Sequence, residues 1–136
     1  MWDFVAHIHM DPVPKGRPVR SKFSSYTPEK TVKAEKEIKD QLNIIGVRKF
    51  AEPIDVEIEI KIKRPKVIRK LVPRGDVDNY GKLVLDALNG FVIDDDRNVM
   101  NIALSKRYAV TPGYVIKIKK HVFQTEGTGW IINWVY

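Results

Sequence analysis

Between residues 75 and 98 the chain places Asp76, Asp78, Asp86, Asp94, Asp95 and Asp96, six of its 17 acidic residues. All six are Asp, and Lys82 is the only Lys among them. Short, stiff carboxylates suit a hard divalent cation that takes oxygen ligands. Directly upstream, the segment from Lys61 to Arg74 carries seven Lys or Arg and no acid. Cations beside carboxylates favour the approach of a polyanion. The combination points to metal-dependent chemistry on nucleic acid.

A helix has to carry part of this block. Val77, Tyr80, Leu83, Val84, Ala87 and Leu88 recur at spacings of three and four and define one apolar face. Asp76 or Asp78 is placed to cap its start, and Gly90 stands where helices commonly stop. Asp78, Lys82 and Asp86 then share a polar face at i, i+4 and i+8. The helix is short, so the return through Phe91, Val92 and Ile93 is expected to bring Asp95 back beside Asp76 and Asp78. Taken singly, each Asp also reads as an ordinary cap or a solvated turn. A calcium loop of the EF-hand kind is excluded. Tyr80 holds its fifth position, Ala87 stands where a bidentate Glu is needed, and Lys82 puts a cation inside it.

The string Gly75-Asp76-Val77-Asp78-Asn79-Tyr80-Gly81-Lys82, continuing through Asp86-Ala87-Leu88 to Ile93-Asp94-Asp95, resembles the signature of the RusA family of Holliday junction resolvases. The opening Pro12-Val13-Pro14-Lys15-Gly16-Arg17-Pro18, followed by Tyr26-Thr27-Pro28, is similar to the start of such proteins. The resemblance implies metal ligands at Asp76, Asp78 and Asp95, with Asp95 chosen over Asp94 and Asp96 by counting from Ile93. It implies a catalytic Lys at Lys82, while Asp86 either orients Lys82 or is plain surface. The implied cofactor is Mg2+, with Mn2+ as a possible substitute and the number of ions, one or two, left open. Phosphodiester hydrolysis needs an activated water, relief of phosphate charge and help for the departing oxygen, which metal ions and a nearby Lys can supply.

The frame around this block is modest. A chain of 136 residues, 43% hydrophobic and 30% charged, is expected to form one domain, residues 1–136, with a single core. It has no Cys, so neither disulfides nor thiolate metal sites hold it together. No apolar run approaches a membrane span, and the start lacks the pattern of a signal peptide. The expected location is the cytoplasm of a bacterium, with a chromosomal or phage gene both open.

Trp2 to Met10 reads as a strand with His7 and His9 on one face, where packing in the core or at an edge is favoured over metal ligation. Residues 11–28, with Lys15, Arg17 and Arg20, are too rich in Pro for a helix and form a basic loop suited to phosphate. Thr27, Pro28 and Glu29 open a helix to about Ile45, with Val32, Ile38, Leu42 and Ile45 as its apolar stripe. Ile54 to Ile62 alternates strictly between apolar and charged residues and is a half-buried strand. A second basic loop, residues 63–75, follows with Lys63, Arg64, Lys66, Arg69, Lys70 and Arg74. It is read as flexible and able to bring DNA phosphates to the carboxylates.

After the acidic block, Val99–Val110 and Tyr114–Phe123 read as strands joined at Thr111-Pro112-Gly113. Lys106 is expected to line the same groove. The apolar C-terminal tail, 125–136, is expected to be buried on its own domain or against another chain. The fold class is α+β, in the order β-α-β-α-β-β, a mixed sheet with helices packed on it. A four-way junction has two-fold symmetry and needs two matched nicks, so a homodimer acting on branched DNA is expected. Two alternatives stand beside this reading, a non-catalytic basic DNA-binding protein and a less selective branched-DNA or flap nuclease.

Overall fold

The computed structural model describes residues 1–16, 19–20, 25–26 and 28–124. In chain order these form β1 (Phe4–His9), β2 (Val19–Arg20), β3 (Ser25–Tyr26), α1 (Glu29–Ile45), β4 (Ile54–Lys63), α2 (Val77–Leu88), β5 (Val99–Ala109) and β6 (Gly113–Lys120). A short 3-10 turn at Asp96–Asn98 leads into β5. The fold is thus α+β in the order β-α-β-α-β-β, with β2 and β3 adding a two-residue ladder inside the Pro-rich loop.

Strict alternation in β4 makes it an interior strand. Ile54, Val56, Ile58, Ile60 and Ile62 are all buried, while the residues between them stay partly exposed. One face of the sheet is therefore apolar and carries both helices; the other faces water. Polar residues of the open face pair across strands: Lys117 with Glu57 at 3.3 Å, and Arg107 with Glu59 at 3.0 Å. Nearby, His121 Nδ1 lies 2.8 Å from Asp55 Oδ1, and Asn101 donates to the same oxygen.

The four main strands lie in the order β1-β6-β4-β5. β4 and β5 are parallel and joined through α2, whereas β6 is antiparallel to both β1 and β4. Thr111 and Pro112 therefore do not close a hairpin, because β4 lies between the strands they connect. β5 forms one outer edge of the sheet and β1 the other.

α1 starts at Glu29 with Pro28 in the cap position; the hydroxyl cap expected at Thr27 lies outside the described residues. Its buried stripe is Thr31, Ala34, Ile38 and Leu42, not the stripe of Val32 and Ile45, which are 52% and 46% exposed. The reason lies in the loop before it. Gly16 N–H donates to Thr31 Oγ1 at 3.0 Å, which turns the Thr31 side of the helix inward. His7 and His9 both point outward from β1, and Ala6 and Ile8 fill the core instead.

α2 buries Tyr80, Gly81, Leu83, Val84, Ala87 and Leu88, the apolar face its spacing predicts. Gly81 is where the helix touches β5: a Cβ there would come within 2.5 Å of Leu104 Cδ1. After Leu88 the chain turns at Gly90, whose φ of +77° suits a residue without a Cβ. It then docks on the segment before β4, with Phe50 N donating to Val92 O and Asp94 N to Phe50 O.

Candidate active site

Asp76 occupies the N-cap position of α2, yet its side chain makes no cap hydrogen bond. Its nearest polar contact is Asn79 Nδ2 at 3.5 Å, long for a hydrogen bond. Asp78, in the first turn, is exposed and meets no cation among the described residues. Two carboxylates are thus held, unneutralised, at the positive end of a helix dipole. Their oxygen donors fit a hard divalent cation, with at least one further carboxylate needed to complete such a site. Lys82, one turn beyond Asp78 on the same side of the helix, is exposed and pairs with no described acid.

Asp95 does not join them within the chain. The backbone N–H of Asp96 donates to Asn89 Oδ1 at 3.1 Å, which fixes the Asp run at the C-terminal end of α2. Asp76 sits at the other end. At 1.5 Å per residue, the 13 residues from Asp76 to Asn89 put the two ends roughly 20 Å apart. Among the described residues no three His, Asp or Glu side chains gather to hold a metal ion. The expectation that the return after Gly90 brings Asp95 back beside Asp76 is corrected. The return runs across the end of the helix to Phe50, not back along its length.

The Asp95 carboxylate is also occupied. It accepts from Arg97 N at 2.9 Å and Arg97 Nε at 3.0 Å, and lies 2.8 Å from Arg97 Nη2. These hydrogen bonds hold its pKa below the usual carboxylate range. Asp94 lies 3.5 Å from Lys49.

The cations divide into two groups. Lys15 is spent internally: its Nζ lies 2.7 Å from Asp86 and 3.0 Å from Glu35, joining the two helices. Partial burial would lower its pKa, but the two carboxylates outweigh that and raise it. Lys15 is therefore a structural tie and not the free phosphate contact its loop suggested, and Asp86 serves Lys15 instead of orienting Lys82. Lys106 is spent as well. Its Nζ donates to the carbonyls of Pro73, at 2.7 Å, and Gly75. Arg17 and the side chain of Arg20 lie outside the described residues, as does the apolar tail 125–136.

Lys63, Arg64, Lys66, Arg69, Lys70 and Arg74 form the second group. All are exposed, and none pairs with a described carboxylate. The loop that carries them is not flexible as expected, because it is tied down at several points. Arg64 N donates to Ala109 O at 2.9 Å, Tyr108 Oη to Lys70 O at 3.0 Å and Tyr80 Oη to Arg74 O at 3.1 Å. Two tyrosines and Lys106 thus hold a run of free cations beside Asp76. Their role is not visible in the sequence, where nothing marks a Tyr in a strand as the anchor of a loop. Beneath the loop lies a cleft of about 250 Å3, lined by Asp11, Ile62, Lys63, Arg74, Tyr80 and Tyr108 among others.

A four-stranded mixed sheet with two helices on one face, free aspartates at a helix start and a tethered cationic loop define a small α+β protein built for polyanions. Residues 9–119 match the model of the family described as Endodeoxyribonuclease RusA, and the chain belongs to that family. It is also similar to YqaN of Bacillus subtilis (strain 168), described as an uncharacterized protein, with 26% identity over 132 residues, covering 83% of this chain and 93% of the relative. Among the described residues no helix is long and apolar enough to cross a membrane.

Proposed function

We propose that the protein is a divalent-metal-dependent endonuclease that resolves Holliday junctions by paired nicks, in DNA recombination and repair. It acts as a homodimer in the bacterial cytoplasm, with Mg2+ as its metal and Mn2+ as a substitute. The observation that carries this reading is the pair of unneutralised carboxylates, Asp76 and Asp78, beside a cationic loop in a chain of the RusA family. A DNA-binding protein gains nothing from free negative charge at its phosphate-binding edge, whereas a metal site requires it.

Asp76 and Asp78 hold the metal, with Asp95 as the third carboxylate. When bound, the metal lowers the pKa of a water and polarises the phosphoryl group. Lys82 stands free one turn along α2 and offers a point charge to the non-bridging phosphate oxygens. Lys63, Arg64, Lys66, Arg69, Lys70 and Arg74 take the flanking phosphates, which positions the backbone without reading sequence. Arg17 and Arg20 complete the phosphate-binding set from the Pro-rich loop.

The test is Asp76→Asn, measured for junction binding and junction cleavage in parallel. Loss of cleavage with binding retained or tightened supports the reading, since negative charge beside phosphate has been removed. Cleavage that survives in both Asp76→Asn and Asp78→Asn assigns the protein to a different site or to DNA binding alone.

A further inference from the structure

Both halves of the acidic set are referenced to one strand, β5. Asp95 precedes its first residue, Val99, through the 3-10 turn. At the other end Lys106 of β5 bonds to the carbonyls of Pro73 and Gly75, immediately before Asp76. Between them Gly81 of α2 abuts Leu104, so Asp78, three residues earlier on α2, lies on the β5 side of the helix. The strand that separates the carboxylates by its own length is also the outer edge of the sheet. It runs for 11 residues with one side unpaired and leaves Met100 and Ile102 48% and 41% exposed. A long edge of this kind is a template for another strand.

We propose that β5 pairs antiparallel with β5 of a second copy about a two-fold axis, and that each metal site is completed across this interface. Asp76 and Asp78 come from one copy and Asp95 from the other. Antiparallel pairing sets the Val99 end of one strand beside the Lys106–Ala109 end of its partner. The rise from Val99 to Lys106, seven residues at about 3.3 Å or roughly 23 Å, matches the roughly 20 Å between the ends of α2. The swap of ends therefore cancels the separation within each chain. Both α2 helices fall on the same face of the joined sheet, and the exposed Met100 and Ile102 are covered. The axis generates two equivalent sites, as two matched nicks require. The inference rests on the reading of these aspartates as metal ligands.

The experiment mixes Asp76→Asn and Asp95→Asn chains, refolds them together and measures Mn2+ binding by electron paramagnetic resonance. Each variant alone has every site broken. In a mixed dimer with shared sites, one site carries both lesions and the other is intact, so random mixing restores about a quarter of wild-type Mn2+ sites. Sites confined to one chain are broken in every dimer, and no recovery on mixing overturns the proposal. Pairing is tested separately by Ala103→Cys and Ser105→Cys near the middle of β5, in a chain that has no Cys of its own. Disulfide-linked dimers are expected on oxidation of one or both. A wild-type chain that sediments as a monomer at micromolar concentration, or absence of cross-linking at both positions, overturns the interface. Wild-type Mn2+ binding by both Asp variants alone instead overturns the metal reading beneath it.

Discussion

Lys106 Nζ donates to the carbonyl of Pro73 at 2.7 Å, so a strand of the sheet sets the position of the loop that delivers Asp76. Its charge is spent on backbone oxygens, which makes it a positioning residue and not a phosphate ligand. Lys106→Met should lower the rate of junction cleavage on the order of tenfold to a hundredfold, with junction affinity within about twofold of wild type, as small misplacements of catalytic groups do. Single-turnover cleavage alongside equilibrium binding separates the two. Equal losses in both would make Lys106 a DNA contact.

The two groups of cations should part in their response to salt. Arg69→Ala and Lys66→Ala each remove a free cation, and each should reduce the slope of log affinity against log salt by about 0.9 per lost phosphate contact. Lys15→Met should leave that slope unchanged and instead cost about 1–2 kcal/mol of stability, because Asp86 and Glu35 lose their common partner. Binding titrations from low to moderate salt, with thermal melts, check both. A reduced slope for Lys15→Met would put that residue back among the phosphate contacts.

The fate of Lys15 shows what was legible in the sequence and what was not. Alternation from Ile54 to Ile62 and the spacing from Val77 to Leu88 identified β4 and α2 because burial there is a local, periodic demand. Which charge meets which is decided by the tertiary fold. Lys15 and Asp86 lie far apart along the chain and meet only because the loop after β1 crosses between α1 and α2. The same limit applies to Asp95. Spacing placed it after a helix and a turn, but the direction of the turn, fixed by Phe50 and Asn89, left no local signal. Nor does alternation in β5 and β6 reveal that β4 lies between them.

Gly75 has φ +87°, and a Cβ there would come within 2.6 Å of the Tyr80 ring. Both the backbone and the space therefore favour glycine immediately before Asp76. Gly75→Ala should cost roughly 1–3 kcal/mol of local strain, relieved by moving the loop and with it the Asp76 carboxylate. A lower Tm together with weaker cleavage is expected. An unchanged melt with normal cleavage would show that the loop has room this geometry denies.

Val13 N–H donates to Tyr114 Oη at 3.0 Å, and burial pushes the Tyr114 hydroxyl up to about 12. The unfolded phenol titrates near pH 10. The folded state therefore keeps a proton that the unfolded state loses. This contribution is fully present below about pH 10 and is lost as the pH rises through about 12. Tyr114→Phe should be less stable at neutral pH by about 1–2 kcal/mol, because the Val13 N–H loses its acceptor. Its stability should fall less steeply than wild type above pH 10. Denaturant melts at pH 8 and pH 10.5 measure the difference, and parallel curves for the two proteins would contradict it.

The central claim is metal-dependent cleavage of branched DNA by Asp76 and Asp78. Its most direct measurement is cleavage of a synthetic four-way junction beside linear duplex of the same sequence, with Mg2+ and with chelator, for wild type and Asp76→Asn. Paired nicks on opposing strands of the junction are predicted for wild type with Mg2+ alone, with the linear duplex left intact. Cleavage in chelator, or by Asp76→Asn at the wild-type rate, would contradict the account.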